Sequence, residues 1–213
     1  MCSIKIIDYL RSRLLTIVSG RTPSLSEKSS VNPKLAMKIH HLVAVASLIA
    51  ASTSWASLRP EEIKTLPYAA IEKKLPAEHP SAYYSYAARL FADGKKDDAV
   101  FWFYVGQIRY RAHLKANPTL EPGGDPALFA SLNATVGRQI NEYAGGDPAM
   151  WFAQIDRALD WDKRTPNGFT SKEKFGKQYE EIRAGLVSMR KSLEKNTEQL
   201  RESRKKAGLE NRR

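Results

Sequence analysis

The chain has 213 residues, a formal net charge of +11 and a single cysteine, Cys2. Its length suits one domain with an adequate core, and the lack of further cysteines excludes a scaffold held together by disulfides. The positive charge does not predict a nucleic-acid partner. Basic residues near the C-terminus alternate with acidic ones rather than with aromatic ones, which is typical of a solvated helix end.

The first recognisable element is a segment with the order of a cleavable secretory signal peptide, at residues 37–56. Lys38 gives a basic start, residues 42–51 are apolar apart from Ser47, and Ser54-Trp55-Ala56 has the small-x-small form of a cleavage site. The apolar stretch is far shorter than the ~20 residues of a membrane span. A buried core helix is the alternative, but a polar, proline-marked segment follows it. We therefore predict cleavage between Ala56 and Ser57.

This prediction sets the compartment and the domain boundaries. A mature chain without cysteines and without an integral membrane span is expected in a periplasm, or secreted. We expect translation to start at Met37, so that residues 1–36 are a mis-assigned or disordered leader. The alternative is an organelle-targeting leader, because residues 4–18 are basic and apolar. Residues 57–206 would form a helical domain, and residues 207–213 a disordered tail.

Two helices are predicted at the centre of the chain, after a loose, proline-broken first segment. The first begins at His79-Pro80 and ends at Asp93-Gly94, where the glycine supplies a positive φ. The second covers residues 96–116. It contains Phe101-Trp102-Phe103-Tyr104, whose side chains point around most of a helix, so this helix should be covered on several sides. Gly106 would allow one neighbour to approach closely.

An internal repeat marks the next two helices. The sequence Gly-Gly-Asp-Pro-Ala occurs at residues 123–127 and again at 145–149. In both copies the glycines would end the preceding stretch, the aspartate would cap the next helix, and the proline would occupy its first turn. This pattern predicts helices over residues 126–143 and 148–162.

A long C-terminal helix is predicted from a capping-box pattern at Thr170-Ser171-x-Glu173 to about residue 205. Its apolar residues repeat every seven positions from Phe175 to Leu200, with a gap at Asn196. This stripe could pack on the domain or support weak self-association as a coiled coil. Since no segment alternates like a strand, the fold class expected is all-α, with five to six helices in antiparallel hairpins and a long C-terminal helix.

The central helix pair resembles a single tetratricopeptide-type repeat. The residues that carry the resemblance keep the spacing of large and small side chains around a turn glycine: Tyr83, Tyr86, Ala87, Leu90, Gly94, Ala99, Phe103 and Gly106. The chain departs from the repeat at Pro118, which comes later than the usual closing proline, and the flanking helices do not match. The resemblance implies a helical hairpin that binds a protein or peptide.

Residues that could carry chemistry are sparse. No catalytic motif occurs, and we expect no cofactor and no metal site. Two histidines follow the predicted cleavage site, His79 and His113, and solvated or helix-capping roles are favoured over metal ligation. Asp156 and Asp160 lie one helical turn apart with Asp162 nearby; a polar helix face is favoured over a cation site.

The central helix also contains polar residues that would be buried if the helix is covered. Five residues are candidates either for partner binding or for a buried polar network: Gln107, Arg109, Arg111, Tyr84 and Trp102. A buried arginine needs a partner, and Gln139, Asn141 and Glu142 are the expected ones.

Together these patterns favour an exported helical module that binds a protein, such as an immunity-type inhibitor or an envelope adaptor. Two alternatives remain open. One is a cell-wall-acting enzyme on a helical scaffold, which would need a cleft with two carboxylates or a histidine pair. The other is a structural dimer held by the C-terminal stripe.

Overall fold

The computed structural model describes residues 57–213, and all regular secondary structure in this part of the chain is helical, which confirms the all-α prediction. The predicted leader, signal peptide and cleavage residue Ala56 lie outside the described residues. The described helices are more numerous than the five to six expected, because the helix predicted over residues 126–143 and the long C-terminal helix are each divided, whereas those predicted over 96–116 and 148–162 are present at full length. They are α1 (Pro60–Thr65), α2 (Tyr68–Lys74), α3 (Ser81–Ala92), α4 (Lys96–Ala116), α5 (Asp125–Leu132), α6 (Arg138–Ala144), α7 (Pro148–Arg164), α8 (Gly176–Lys195) and α9 (Thr197–Lys206).

Helix α4 is the centre of the domain, as the aromatic run predicts. It packs against α3, α6, α7 and α8, and its residues 99–114 are all buried. Phe101 and Trp102 lie against Trp161 on one side, whereas Phe103 lies against Tyr84 on another. Because a helix that is apolar all round must be covered all round, the other helices are arranged around α4.

Helices α3 and α4 form the predicted antiparallel hairpin. Gly94 has φ +81°, and the backbone amide of Lys95 donates to the Leu90 carbonyl at 2.8 Å, so the glycine ends α3 as expected. The prediction for Gly106 is also confirmed. A Cβ added there would lie 2.9 Å from the Tyr83 Cβ, closer than real Cβ atoms approach, so the two helices need a residue without a side chain at this point.

The two copies of the Gly-Gly-Asp-Pro-Ala repeat differ in structure. In the second copy Asp147 caps α7, accepting from the Met150 amide at 3.1 Å, as predicted. In the first copy the prediction is wrong, since Asp125 is the first residue of α5 and makes no cap hydrogen bond. Its carboxylate is used elsewhere. The expected helix over 126–143 is α5 and α6, joined by a π-helical turn, Asn133–Gly137.

The C-terminal helix is divided at Asn196, where the apolar stripe has its gap. The capping-box residues Ser171 and Glu173 bond to each other, and α8 begins only at Gly176. The stripe is buried within the chain, including Tyr179, Ile182, Leu186, Leu193 and Leu200. Residues 207–213, predicted to be a disordered tail, lie against the end of α6, where the Arg212 amide donates to the Gly146 carbonyl at 2.7 Å.

Between residues 57 and 213, none of the helices combines the length and the apolar character needed to cross a membrane.

Candidate functional site

The five polar and aromatic candidates of the sequence analysis are all buried: Tyr84, Trp102, Gln107, Arg109 and Arg111. In the folded chain none of these side chains lies at the surface, where a partner protein could contact it. The expected partners of the arginines are also not the observed ones. Asn141 instead accepts from the Tyr104 hydroxyl at 2.9 Å.

Arg109 is the most deeply buried of the charged candidates, at 1% exposure. Its guanidinium lies 3.3 Å from the carboxylate of Asp162, which is fully buried, and it donates to the Tyr83 hydroxyl at 2.8 Å. It also donates to three backbone carbonyls, those of Pro76, Thr165 and Pro166. Arg109 therefore joins α4 to the segment before α3 and to the loop after α7.

Asp162 gathers two further cations. Arg183 donates to its second carboxylate oxygen at 2.9 Å, and the Lys172 ammonium lies 3.5 Å from the first. Lys172 also donates to the Thr165 carbonyl at 2.6 Å. Burial lowers the pKa of Lys172, although the Asp162 charge opposes that effect. These contacts make Asp162 a buried junction between α4, α7 and α8, rather than part of the polar helix face favoured by the sequence.

Gln107 and Arg111 form a second, smaller network. Arg111 donates to the Gln107 side chain at 3.1 Å, and Gln107 donates in turn to the Asn133 side chain in the π-helical turn. The Arg111 guanidinium lies 5.0 Å from the centre of the Phe129 ring. Burial lowers the pKa of Arg111. Both networks serve the fold, because their members are enclosed and bonded to one another.

A different cluster lies nearer the surface, where the two histidines of the described chain meet one carboxylate. His113 Nε2 lies 2.7 Å from Asp125 Oδ2, and His79 Nε2 lies 3.2 Å from Asp125 Oδ1. The two imidazole rings are 5.7 Å apart. His79 precedes α3, His113 is in the last turn of α4, and Asp125 begins α5. We call these three residues the His–Asp cluster.

The hydrogen bonds of the ring nitrogens assign the proton on each histidine. The Ser81 backbone amide donates to His79 Nδ1 at 3.2 Å, so this nitrogen carries a lone pair. The Asn117 side-chain amide nitrogen lies 3.2 Å from His113 Nδ1, and it also donates to the His113 carbonyl. Both Nδ1 atoms therefore accept, and both Nε2–H groups donate to Asp125.

Asp125 is well supplied with donors. The Tyr110 hydroxyl is a third, 3.2 Å from Oδ1. Partial burial by itself would raise the pKa of the Asp125 carboxyl, but the hydrogen bonds from His113 and His79 outweigh it and hold the pKa below its usual value. The carboxylate is therefore charged at neutral pH, with two imidazoles facing it.

The surroundings of the His–Asp cluster are apolar and open. The Phe169 ring lies 4.9 Å from the His79 ring and 5.1 Å from the His113 ring, and Phe169 is 42% exposed. Leu128, also 42% exposed, lies one helical turn after Asp125 on α5. Within residues 57–213 these are the exposed large hydrophobic side chains. We call the His–Asp cluster with Leu128 and Phe169 the His–Phe surface.

Sequence reasoning missed this cluster because the three residues lie on three separate elements. The one available indication was the repeat itself. The repeat predicted that the aspartate of each copy caps a helix, whereas only Asp147 does so and Asp125 is left for the cluster.

A concave region runs along α6. Phe91 and Tyr143 form part of it, together with cationic side chains that include Arg204 and Arg212. These two arginines are already bonded within the chain: Arg204 donates to the Glu142 carbonyl at 2.8 Å, and Arg212 to the Tyr143 carbonyl at 2.6 Å. Their role is to hold residues 207–213 in place.

Comparison with known proteins gives no match: no family model, no curated protein and no solved structure is similar to this chain at a significant level.

Proposed function

We propose that this chain is an exported helical module that binds a protein partner through the His–Phe surface, in the manner of an immunity-type inhibitor or an envelope adaptor. The single observation that carries the proposal is the position of Leu128 and Phe169. Of the exposed large hydrophobic side chains of the described chain, Phe169 packs against both histidines of the cluster, and Leu128 follows Asp125 by one helical turn. An apolar centre with polar groups at its margin is typical of a protein interface.

The partner expected is a folded protein with an acidic surface. After the predicted cleavage site the chain carries 27 Lys and Arg and 21 Asp and Glu, a net charge of +6, and opposite charge accelerates encounter and favours the correct partner. An aromatic ring such as Phe169 is the type of residue that contributes most to binding when it enters a pocket. Export is supported by the signal-peptide pattern of residues 37–56 and by the lack of cysteine after Cys2.

A coiled-coil dimer is less well supported. The apolar stripe from Tyr179 to Leu200 is covered within the chain, so little of it is left for a second copy. The enzyme alternative retains one favourable observation, the histidine pair beside a carboxylate. If the chain were a cell-wall hydrolase, purified protein would degrade peptidoglycan and His113→Gln would abolish the activity. Lack of activity in the wild type would exclude it.

The binding proposal is tested by site-specific crosslinking in cells that produce the full chain. A photoreactive residue is placed at position 128 or 169, and at the exposed position 160 on α7 as a control. We expect one protein to be captured from positions 128 and 169 but not from 160, and we expect Phe169→Asp to weaken capture from position 128. Equal capture from all three positions, or capture of a second copy of the chain, would contradict the proposal.

The export part has its own measurement. Chemical sequencing of the protein recovered from the periplasm or medium should give Ser57 as the first residue. Recovery of the intact leader from the cytoplasm would overturn it without affecting the surface argument.

A further inference from the structure

We propose that His79, His113 and Asp125 form a binding site for a zinc-type divalent transition metal, with one open position at the His–Phe surface. The inference goes beyond protein binding and does not depend on it. Its basis is that the two histidines within residues 57–213 direct the same ring nitrogen, Nε2, at one charged carboxylate.

The distances suit a tetrahedral site after a small adjustment. One ligand atom from each residue can be chosen so that all three lie within 4.8 Å of one another. Zinc bonds to imidazole nitrogen and carboxylate oxygen are about 2.0–2.2 Å long, which places neighbouring tetrahedral ligands roughly 3.3–3.5 Å apart. The pair of His79 Nε2 and Asp125 Oδ1 is already at 3.2 Å. The contact between His113 Nε2 and Asp125 Oδ2, now 2.7 Å, would need to lengthen to reach this separation.

The chemistry of the donors selects the class of metal. Two imidazoles and one carboxylate suit zinc, copper or nickel, whereas calcium and magnesium prefer oxygen ligands alone. The chain offers no cysteine after Cys2 to complete a closed structural zinc site. Three protein ligands with a fourth position for water or a partner's atom is the arrangement of an open site.

Metal binding changes the proton positions on the two imidazoles. The Nε2 protons now donate to Asp125 and must leave so that Nε2 can bind the metal. In a neutral histidine the proton moves to Nδ1, with no net release. The Ser81 hydroxyl oxygen lies 2.7 Å from His79 Nδ1 and can accept a hydrogen bond from the new Nδ1–H, while the Ser81 backbone amide gives up its present contact with that nitrogen. Asn117 can offer its carbonyl oxygen to His113 Nδ1 if its side-chain amide rotates.

The Tyr110 hydroxyl and the Phe169 ring support the same site. Tyr110 holds Asp125 Oδ1 in place at 3.2 Å, and the Phe169 ring packs against both imidazoles and limits their movement. Supporting groups of this kind orient ligands and strengthen metal binding.

The test uses zinc chloride alone, titrated into the full chain by isothermal calorimetry. His40 and His41 are replaced by alanine in every sample, so that His79 and His113 are the remaining histidines. We expect one zinc per chain, and at least a tenfold loss of affinity in His113→Gln and in Asp125→Asn. The matched control is Asp147→Asn in the second copy of the repeat, which should bind zinc unchanged. Ser81→Ala should weaken binding by about tenfold.

A second measurement does not depend on the folding of the variants. Side-chain nitrogen NMR of the chain with His40 and His41 replaced should show protonated Nε2 in His79 and His113 without metal, and protonated Nδ1 with zinc bound. Absence of saturable binding, an unchanged affinity in His113→Gln, or histidine resonances that do not respond to zinc would each overturn the proposal. The crosslinking experiment uses no zinc and the titration uses no partner, so failure of the binding function and failure of the metal site are distinguishable.

Discussion

Replacement of Asp162 by asparagine should be among the most damaging single changes in this domain. The carboxylate is fully buried, and it faces Arg109 (1% exposed), Lys172 and Arg183. Asparagine keeps the size of the side chain but removes the negative charge. Arg109 would then be a buried cation bonded only to neutral oxygens. Removal of one partner of a buried ion pair costs about 3–5 kcal/mol, and solvent screening does not reduce this here, because neither group reaches water.

The measurement is urea unfolding of the full chain, monitored by tryptophan fluorescence. The Trp161 ring lies 4.8 Å from the Arg109 guanidinium, and Trp102 packs against Trp161, so both report on this region. In thermal unfolding the same loss would lower the Tm by roughly 6–20 °C for a domain of this size. The control is Asp160→Asn, two residues earlier on the exposed face of α7, which should change stability by less than about 0.5 kcal/mol. Arg183→Met should fall between the two, because the Arg183 side chain is 22% exposed. If Asp162→Asn costs less than about 1 kcal/mol, or no more than the control, the account of the buried junction is wrong.

Three further predictions concern packing and protonation. Gly106→Ala should cost about 1–2 kcal/mol in chemical unfolding, because the new Cβ meets Tyr83 and outweighs the gain in helix propensity; Gly176→Ala, where nothing lies within 4 Å, should cost nothing. The pKa of the Asp125 carboxyl is lowered in the folded chain, so this group stabilises the fold at pH values above its ordinary pKa of 3.8, and the stabilisation is lost as the pH falls below that value. The difference in unfolding free energy between the wild type and Asp125→Asn should therefore become smaller in acid. A difference that stays constant with pH would contradict this. Burial raises the pKa of the Tyr179 phenol to about 12, and it raises the pKa of several other tyrosines further, so these groups stabilise the fold below their ordinary pKa of 10.0 and lose this effect as the pH rises. Ultraviolet titration should show these tyrosines ionising at the same pH at which helical circular dichroism is lost. Ionisation at a lower pH, while the helices are intact, would refute this.

The sequence was sufficient to predict the helical class and the central position of α4. Four consecutive aromatic residues cannot share one face of a helix, so their burial requires neighbours on several sides. Gly94 and Gly106 were also predictable, because each meets a local steric requirement. These inferences depend only on residues close together in the chain.

The features that could not be predicted are contacts between residues that lie far apart in the chain. No pattern connects Arg109 with Asp162, so Arg109 was assigned partners in the following helix, and Asp162 was assigned to a polar face. The His–Asp cluster was not predicted, for the same reason. Asp125 and Asp147 have the same local sequence, and only the approach of two histidines to the first one decides which carboxylate caps a helix.

The enclosure of α4 has a consequence for the motions of the domain. A helix covered on every side can exchange its amide protons with solvent only when several neighbours detach together, whereas α1, α2 and α9 lie at the outside of the domain and have fewer neighbours. Deuterium should therefore enter the outer helices first and reach residues 99–114 last, at a rate set by global opening. The outer helices would open while α4 remains folded, so a ligand bound to the outer helices would change how often the domain opens.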